Sequence, residues 1–262
     1  MKKVMIFRTK PRRMDREHFS RLAGHLGIHE KMVETEDAMA AFDKIRAIAY
    51  AQPGARFGGL LFFTDQNVSL GELVNKPPDP ATVKKWSDTL FREFHLLPDP
   101  PDDKRINLRL EMEVSSGSAF VFDGKEREQK PSETTVFSSI SLNGITVGGP
   151  RARIRMVFKK TEQPALMHCG IWGEIGLHEE RTLVEEEEVV KVIKDKLTSR
   201  RDLKQRVTVS GIRLSYFADE YRGGPDLLVP FYFVDVEFED RRSKKMGISQ
   251  GPRQMFRVPA FR

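Results

Sequence analysis

Cys169 is the single cysteine of the chain, and His168 precedes it directly while His178 follows a turn later. A thiol nucleophile needs an imidazole within hydrogen-bond reach to hold the thiolate. Neighbours on a strand point to opposite faces, so His168 is badly placed for that work and His178 is the better candidate. Neither an oxyanion-hole glycine pattern nor an Asn or Asp orienter accompanies them. A structural cysteine is the plainer reading, and an enzyme site near Cys169 is kept as an alternative. His18, His25 and His29 form a second histidine group. Metal pairs on a helix sit three or four residues apart, and these do not. The sequence therefore implies neither a metal nor a cofactor.

Two acidic groups have local explanations. Glu185 to Glu188 open a helix-like stretch, where the helix dipole favours negative charge. Asp235, Glu237 and Glu239 alternate along a strand-like stretch and read as a solvated sheet face.

The basic residues carry the binding candidates. Lys2, Lys3, Arg8, Lys10, Arg12, Arg13 and Arg16 crowd the start of the sequence. Arg241, Arg242, Lys244 and Lys245 crowd a later stretch, ahead of Arg253, Arg257 and Arg262. Arg151, Arg153 and Arg155 fall on one face of a strand. With a formal charge of +6, these groups suit an acidic protein partner or the phosphates of a nucleic acid. The phenylalanines read as core positions that do not interleave with them. No helix-turn-helix, zinc-finger or RNA-recognition signature is present.

Gly148-Gly149-Pro150 invites a phosphate-loop reading. Such loops run from a strand into a helix whose N-terminus faces the anion. Here "PRARIRMVF" follows, with a period of two, and Pro150 removes a donor. A corner between strands is expected. A second Gly-Gly-Pro at 223–225 also precedes a strand.

These residues need elements to hold them. "MKKVMIFRTK" suits a strand. Asp15 suits a helix N-cap, with Phe19, Leu22, Ala23 and Leu26 as an apolar stripe. Residues 36–49, with Met39, Phe42, Ile45 and Ala49, read as a second helix. "RFGGLLFFTD" reads as a buried strand, and "NKPPDP" as a break. Asp79 and Pro80 then start a helix with the stripe Val83, Trp86, Leu90 and Phe94. Strand signals follow at 106–114, 118–123, 134–142, 152–159 and 165–174, with "EREQKPSE" as a separator and Asn143-Gly144 as a hairpin turn. Thr182 and Glu185 resemble a capping box ahead of Val189, Ile193 and Leu197. Strands at 206–218 and 227–239 follow. The apolar tail "MFRVPAF" suits a sheet edge or a neighbouring subunit, and Phe256 joins the partner-binding candidates.

The expected architecture is α+β, with repeated units of one helix packed on an antiparallel sheet. The expected division is 1–76, 77–178 and 179–262. The order of "LNGITVGGP", Ile171-Trp172-Gly173 and the Glu185 to Val190 helix resembles bacterial PepSY-type proteins over roughly residues 57 to 238. That resemblance implies a cystatin-like helix-on-sheet fold and a non-catalytic role, binding or inhibiting a partner protein. It supplies no catalytic residues.

Composition sets outer bounds. With 39% hydrophobic and 31% charged residues, the sequence suits a folded globular chain. A lone cysteine excludes an internal disulfide and a multi-thiolate metal site. No apolar run approaches a membrane span. The apolar run before Arg8 is shorter than the roughly 7–15 residues of a secretory signal. The sequence reads as cytoplasmic or as the trimmed form of an exported protein. Self-association or a protein partner is expected, and nucleic-acid binding through the basic ends is the alternative.

Overall fold

A computed structural model describes residues 2–11, 13–29, 31–36, 38–51, 59–64, 76–123, 126–149, 152–170, 172–198, 207–218, 227–238 and 253–261. The first third holds β1 (Lys3–Pro11), α1 (Arg16–His25), β2 (Met32–Glu34), β3 (Ala38–Phe42), β4 (Arg46–Ala51) and β5 (Gly59–Thr64). Then come α2 (Pro80–Glu93), β6 (Leu108–Asp123), β7 (Glu126–Leu142), β8 (Ile145–Gly148), β9 (Ile154–Phe158), β10 (Leu166–Cys169) and β11 (Trp172–Thr182). The last part holds α3 (Glu186–Thr198), β12 (Val207–Phe217), β13 (Leu227–Phe238) and β14 (Arg253–Pro259).

The helices start where their side chains dictate. The Asp15 carboxylate accepts from the His18 N–H at 2.7 Å, and Asp79 accepts from the Thr82 N–H at 3.0 Å. Each satisfies a donor that the first helical turn leaves unpaired. Pro80 sits at the first position of α2, where its missing N–H costs nothing. Phe19 and Leu22 of α1, Leu26 just beyond it, and Val83 and Leu90 of α2 with Phe94 just beyond it are buried. Trp86 is only half-buried, its ring tilted against Phe158 at 5.9 Å. Ser87 takes the deeper position, with its hydroxyl donating to the Lys84 carbonyl.

The sheet overturns the expected architecture. Among the described residues, fourteen strands join one mixed sheet, and three short helices pack on it. Repeated helix-on-sheet units of cystatin-like type are absent from this arrangement. Strands far apart in sequence pair directly: β1 with β11 and β13, β5 with β10, and β8 with β12. These pairings cross both 76/77 and 178/179, and β11 itself runs through the second point. Local periodicity marks where a strand lies but carries no information on which distant strand it joins. The β8–β12 pair is parallel; the remaining ladders among the named strands are antiparallel.

Three local expectations also fail. In place of the helix expected over 36–49, residues 38–51 form the β3–β4 hairpin, paired from Ala38↔Ala51 to Phe42↔Ala47. Asp43 makes the turn, accepting from the N–H groups of Ile45 and Arg46 at 2.8 and 2.7 Å. An Asp side chain that mimics a backbone turn in this way outcompetes the helix. Thr182 ends β11 opposite Lys3, so it caps nothing. It is the Glu185 carbonyl that accepts from Glu188 and Val189 at the start of α3. "EREQKPSE" does not separate strands either. It lies within β7, whose partner β6 stays in register except where Glu133 faces Gly117 and Pro131 faces Ser118. Ser132 is the extra residue of a bulge there, a site that tolerates a proline lacking its N–H.

The Asn143-Gly144 turn does form. Both residues have positive φ, 52° and 80°, as a tight hairpin of this hand requires. The tail forms β14, which pairs with β13 of its own chain from Phe231↔Pro259 to Glu237↔Arg253. Two apolar clusters result. The larger gathers α1, α2 and the strands beneath them around Phe19, Phe62, Val136 and Met156. The smaller places Val189, Ile193 and Leu197 of α3 on Tyr232, Val234 and Val236 of β13.

Candidate functional site

The thiol is not presented for chemistry. Cys169 is buried, and its Sγ donates to the Leu96 carbonyl at 3.4 Å. His168 points to the opposite face of β10. His178 is exposed and lies 3.4 Å from an Arg8 guanidinium nitrogen. The three residues do not meet. His18 Nε2 lies 3.0 Å from the Phe94 carbonyl, and His25 packs edge-on against the Phe94 ring at 5.1 Å. Among the described residues no three metal-ligating side chains converge.

The acidic groups are structural in placement. Glu186, Glu187 and Glu188 occupy the first turn of α3. The Tyr232 hydroxyl donates to the Val184 carbonyl beside them at 2.9 Å. Burial first, and then the charges of Glu186, Glu185 and Glu187, raise its pKa above the ordinary tyrosine value. Glu237 pairs with Arg253 at 2.6 Å, and Glu239 lies outside the described residues.

Gly148 ends β8, and Gly149 turns the chain with φ 105°. The Gly148 carbonyl accepts from Ala218 and the Gly149 carbonyl from Ala152. Strand β9 begins at Ile154. This is the expected corner between strands. Residues 223–225 lie outside the described residues.

Of the candidate binding residues, Arg151, Arg241, Arg242, Lys244 and Lys245 lie outside the described residues. Phe256 pairs with Val234 inside the α3 cluster, so its ring serves that core and not a surface. Arg153, just before β9, and Arg155, on it, are exposed. Arg155 reaches Glu133 at 3.9 Å and stands over the Phe137 ring at 5.7 Å.

Arg155 belongs to a longer row. Strand register places Val33, Ala40, Ala49, Leu61, His168, Arg155 and Phe137 directly opposite one another in succession across β2, β3, β4, β5, β10, β9 and β7. Cross-strand partners share a face of the sheet. The next residues inward, Ile48, Phe62, Met167, Met156 and Val136, are all fully buried on the helix side. The row itself is open. Val33 and Leu61 are each 41% exposed, Phe137 40%, and Phe42 on the neighbouring row 42%. Only toward β7 does the same face close, where Val157 and Thr135 are buried. His168 sits mid-row and half-buried; desolvation first, and then the Arg153 charge, hold its pKa below the ordinary histidine value. Of the apolar members, Leu61 and Phe137 were legible as strand residues while Ala40 and Ala49 were read as helical, and period-two alternation does not say which face of a sheet is covered.

The expectation that aromatics avoid the basic residues also fails. On β12, β13 and β14, Phe217, Phe231 and Phe233 lie among Arg213 and Arg257.

No family model matches the chain, and no curated protein matches it. Among solved structures it is similar to an uncharacterized protein from Eubacterium rectale ATCC 33656, at TM-score 0.53 and 11% identity, over 99% of this chain and 84% of that one. At that identity the likeness concerns the fold alone. No helix among the described residues is long and apolar enough to cross a membrane.

Proposed function

We propose that this chain is a non-catalytic binding protein that holds a partner protein on the open sheet face running from β2 through β3, β4, β5, β10 and β9 to Phe137 of β7. The observation behind this reading is the row from Val33 to Phe137, with three large apolar side chains at least two-fifths exposed and Ala40 and Ala49 among them. Several large apolar side chains exposed on one sheet face mark an interaction surface. Small residues on β3 and β4 let another backbone approach closely, and Leu61 and Phe137 supply the anchors. His168 and Arg155 set polar groups between Leu61 and Phe137, and Glu133 lies 3.9 Å from Arg155, so a partner would meet polar as well as apolar side chains there. The buried thiol and the separated histidines lend no support to an enzyme. The turn motifs shared with PepSY-type proteins lie at ordinary strand corners here, so the proposal stands on the surface and not on them.

Leu61→Asp and Phe137→Asp test it. Tagged wild-type chain and each variant are compared by affinity capture from the native cell and by light scattering. A protein, or a second copy of the chain, held by wild type and lost by both variants at unchanged melting temperature supports the reading. Retention of every captured protein by both variants sinks it.

A further inference from the structure

Strand β2 closes one end of the sheet order. It pairs with β3 from Met32↔Ala41 to Glu34↔Met39, and its flanks fix where its backbone groups point. The Phe42 N–H donates to the Lys31 carbonyl at 3.3 Å, and the Thr35 N–H to the Ala38 carbonyl at 2.8 Å. Bonded and non-bonded residue pairs alternate along an antiparallel ladder. Val33 therefore turns its polar groups inward to β3, and Met32 and Glu34 turn theirs outward. Those outward N–H and C=O groups meet no partner among the described residues. Neither a proline nor a register shift blunts this edge, although natural sheets commonly use such devices. Val33 lies on the open face, 41% exposed. Met32 and Glu34 lie on the α1 side, where Ser20 contacts the Met32 sulfur at 3.4 Å and Arg16 stands 3.7 Å from Glu34. The other end of the same order differs. There β11 gives its Gly173 carbonyl to the Asp99 N–H at 2.8 Å and exposes Glu174 and Glu180.

We propose that β2 pairs antiparallel with β2 of a second copy of this chain, across a two-fold axis centred on Val33. The outward groups dictate the register. Met32 bonds the partner's Glu34, and Glu34 bonds the partner's Met32. Two bonds in each of these two pairs satisfy every outward group of both edges. Val33 then faces the partner's Val33 as a non-bonded pair, the closer kind, and β-branched pairs suit that position. A register moved by two residues sets either Met32 or Glu34 against itself. Each makes only one bonded pair within the strands, and the second also opposes like charges. In the chosen register Lys31 faces the partner's Thr35, and Glu34, already beside Arg16, faces the partner's Met32. No like charges meet. The pairing also makes the open faces of the two copies continuous through Val33 and Ala40. It uses the edge of β2 and not the face, so it does not depend on the reading above.

So short an interface gives a weak dimer, and sedimentation equilibrium of the full chain at about 100 μM is the fitting measurement. Wild type should show dimer at that concentration. Glu34→Pro should weaken it about tenfold or more, because half of the bonds lose their donor. Its melting temperature should stay within a few degrees, since an edge strand tolerates proline where the N–H faces outward. Val33→Lys and Val33→Glu should each weaken the dimer, and their equal mixture should restore it. Val33→Cys tests the register, because the native Cys169 is buried. Non-bonded antiparallel pairs hold Cα atoms about 4.5 Å apart, within disulfide range. Mild oxidation should therefore cross-link Val33→Cys and spare Lys31→Cys and Thr35→Cys, whose positions do not meet their own copies. Leu61→Asp, on the open face, should leave this dimer intact. A monomeric wild type at about 100 μM, equal cross-linking of all three cysteine variants, a dimer indifferent to Glu34→Pro and to the Val33 charges, or a dimer lost in Leu61→Asp alone would each overturn the proposal.

Discussion

Gly149 lies so close to Ala218 that a Cβ on the glycine would run into the Ala218 carbonyl. The Gly148 carbonyl accepts from the Ala218 N–H at 2.9 Å, just beyond the short parallel pairing of β8 with β12. Gly149 also has φ 105°, where side chains are strained. Gly149→Ala should therefore cost at least about 2 kcal/mol. Gly144→Ala is the control. It shares a positive φ but meets nothing within 4 Å, and should cost only about 1 kcal/mol. Urea denaturation compares them, and equal losses would refute the close approach.

Val192 and Ile193 are neighbours on α3 with opposite fates. Ile193 is buried against β13, while Val192 is 46% exposed. Ile193→Ala should cost about 2–5 kcal/mol and Val192→Ala close to nothing. Similar losses at both positions would mean that α3 turns a different face to β13.

His168 makes the apolar row sensitive to acid. Its folded pKa lies below the ordinary value of 6.5. The unfolded chain therefore takes up its proton first as pH falls. Stability from this group is whole above about pH 6.5 and declines between that value and the lower folded one. Docking on the row should weaken only at still lower pH, as the folded ring itself takes up its proton, because the imidazolium would then be buried beside Leu61. His168→Gln should remove this part of the slope in melting temperature against pH, and NMR titration of the ring gives its midpoint directly. A midpoint at or above 6.5 would contradict the prediction.

Asp43 should act in more strongly acidic solution. Its carboxylate accepts from Ile45 and Arg46 and faces the Arg46 side chain, which together hold its pKa below the ordinary carboxylate value. Stability from a depressed carboxyl is present above the unfolded value and lost as pH falls through the folded one. Asp43→Ala should lower the melting temperature by several degrees at neutral pH, and the difference from wild type should shrink as pH falls below the ordinary carboxylate value of 3.8 and protonation disarms the native turn. A constant difference across that range would refute the turn's role.

What the sequence made legible was local chemistry. Asp15, Asp79 with Pro80, and Asn143-Gly144 each act on atoms a few residues away, and each did what its type dictates. The β3–β4 hairpin was misread because alanines satisfy either period. Met39, Phe42 and Ile45 fall at helical spacing, although Asp43 between them is a turn former. The apolar row and the arginine-covered rings were not legible for a different reason. Leu61 meets His168 only through register between strands far apart in sequence, and Phe233 lies between Arg213 and Arg257 only through the register of three neighbouring strands. Nothing in the neighbourhood of Arg257 announces an aromatic ring two strands away.

The pairing of β1 has a consequence for how the molecule comes into being. Its ladders are with β11 and with Leu227 and Leu228 of β13. A ribosome adding about 5–20 residues per second completes Pro11 roughly ten seconds or more before it reaches Leu227. For most of that interval, until β11 is complete at Thr182, the nascent β1, with Phe7 destined for the core, has neither partner. Helix α1 can form at once, but the sheet edge it should follow is still missing. The fold thus closes late, by joining the earliest strand to nearly the latest. That topology predicts slow refolding and a need for protection of the amino-terminal segment during translation.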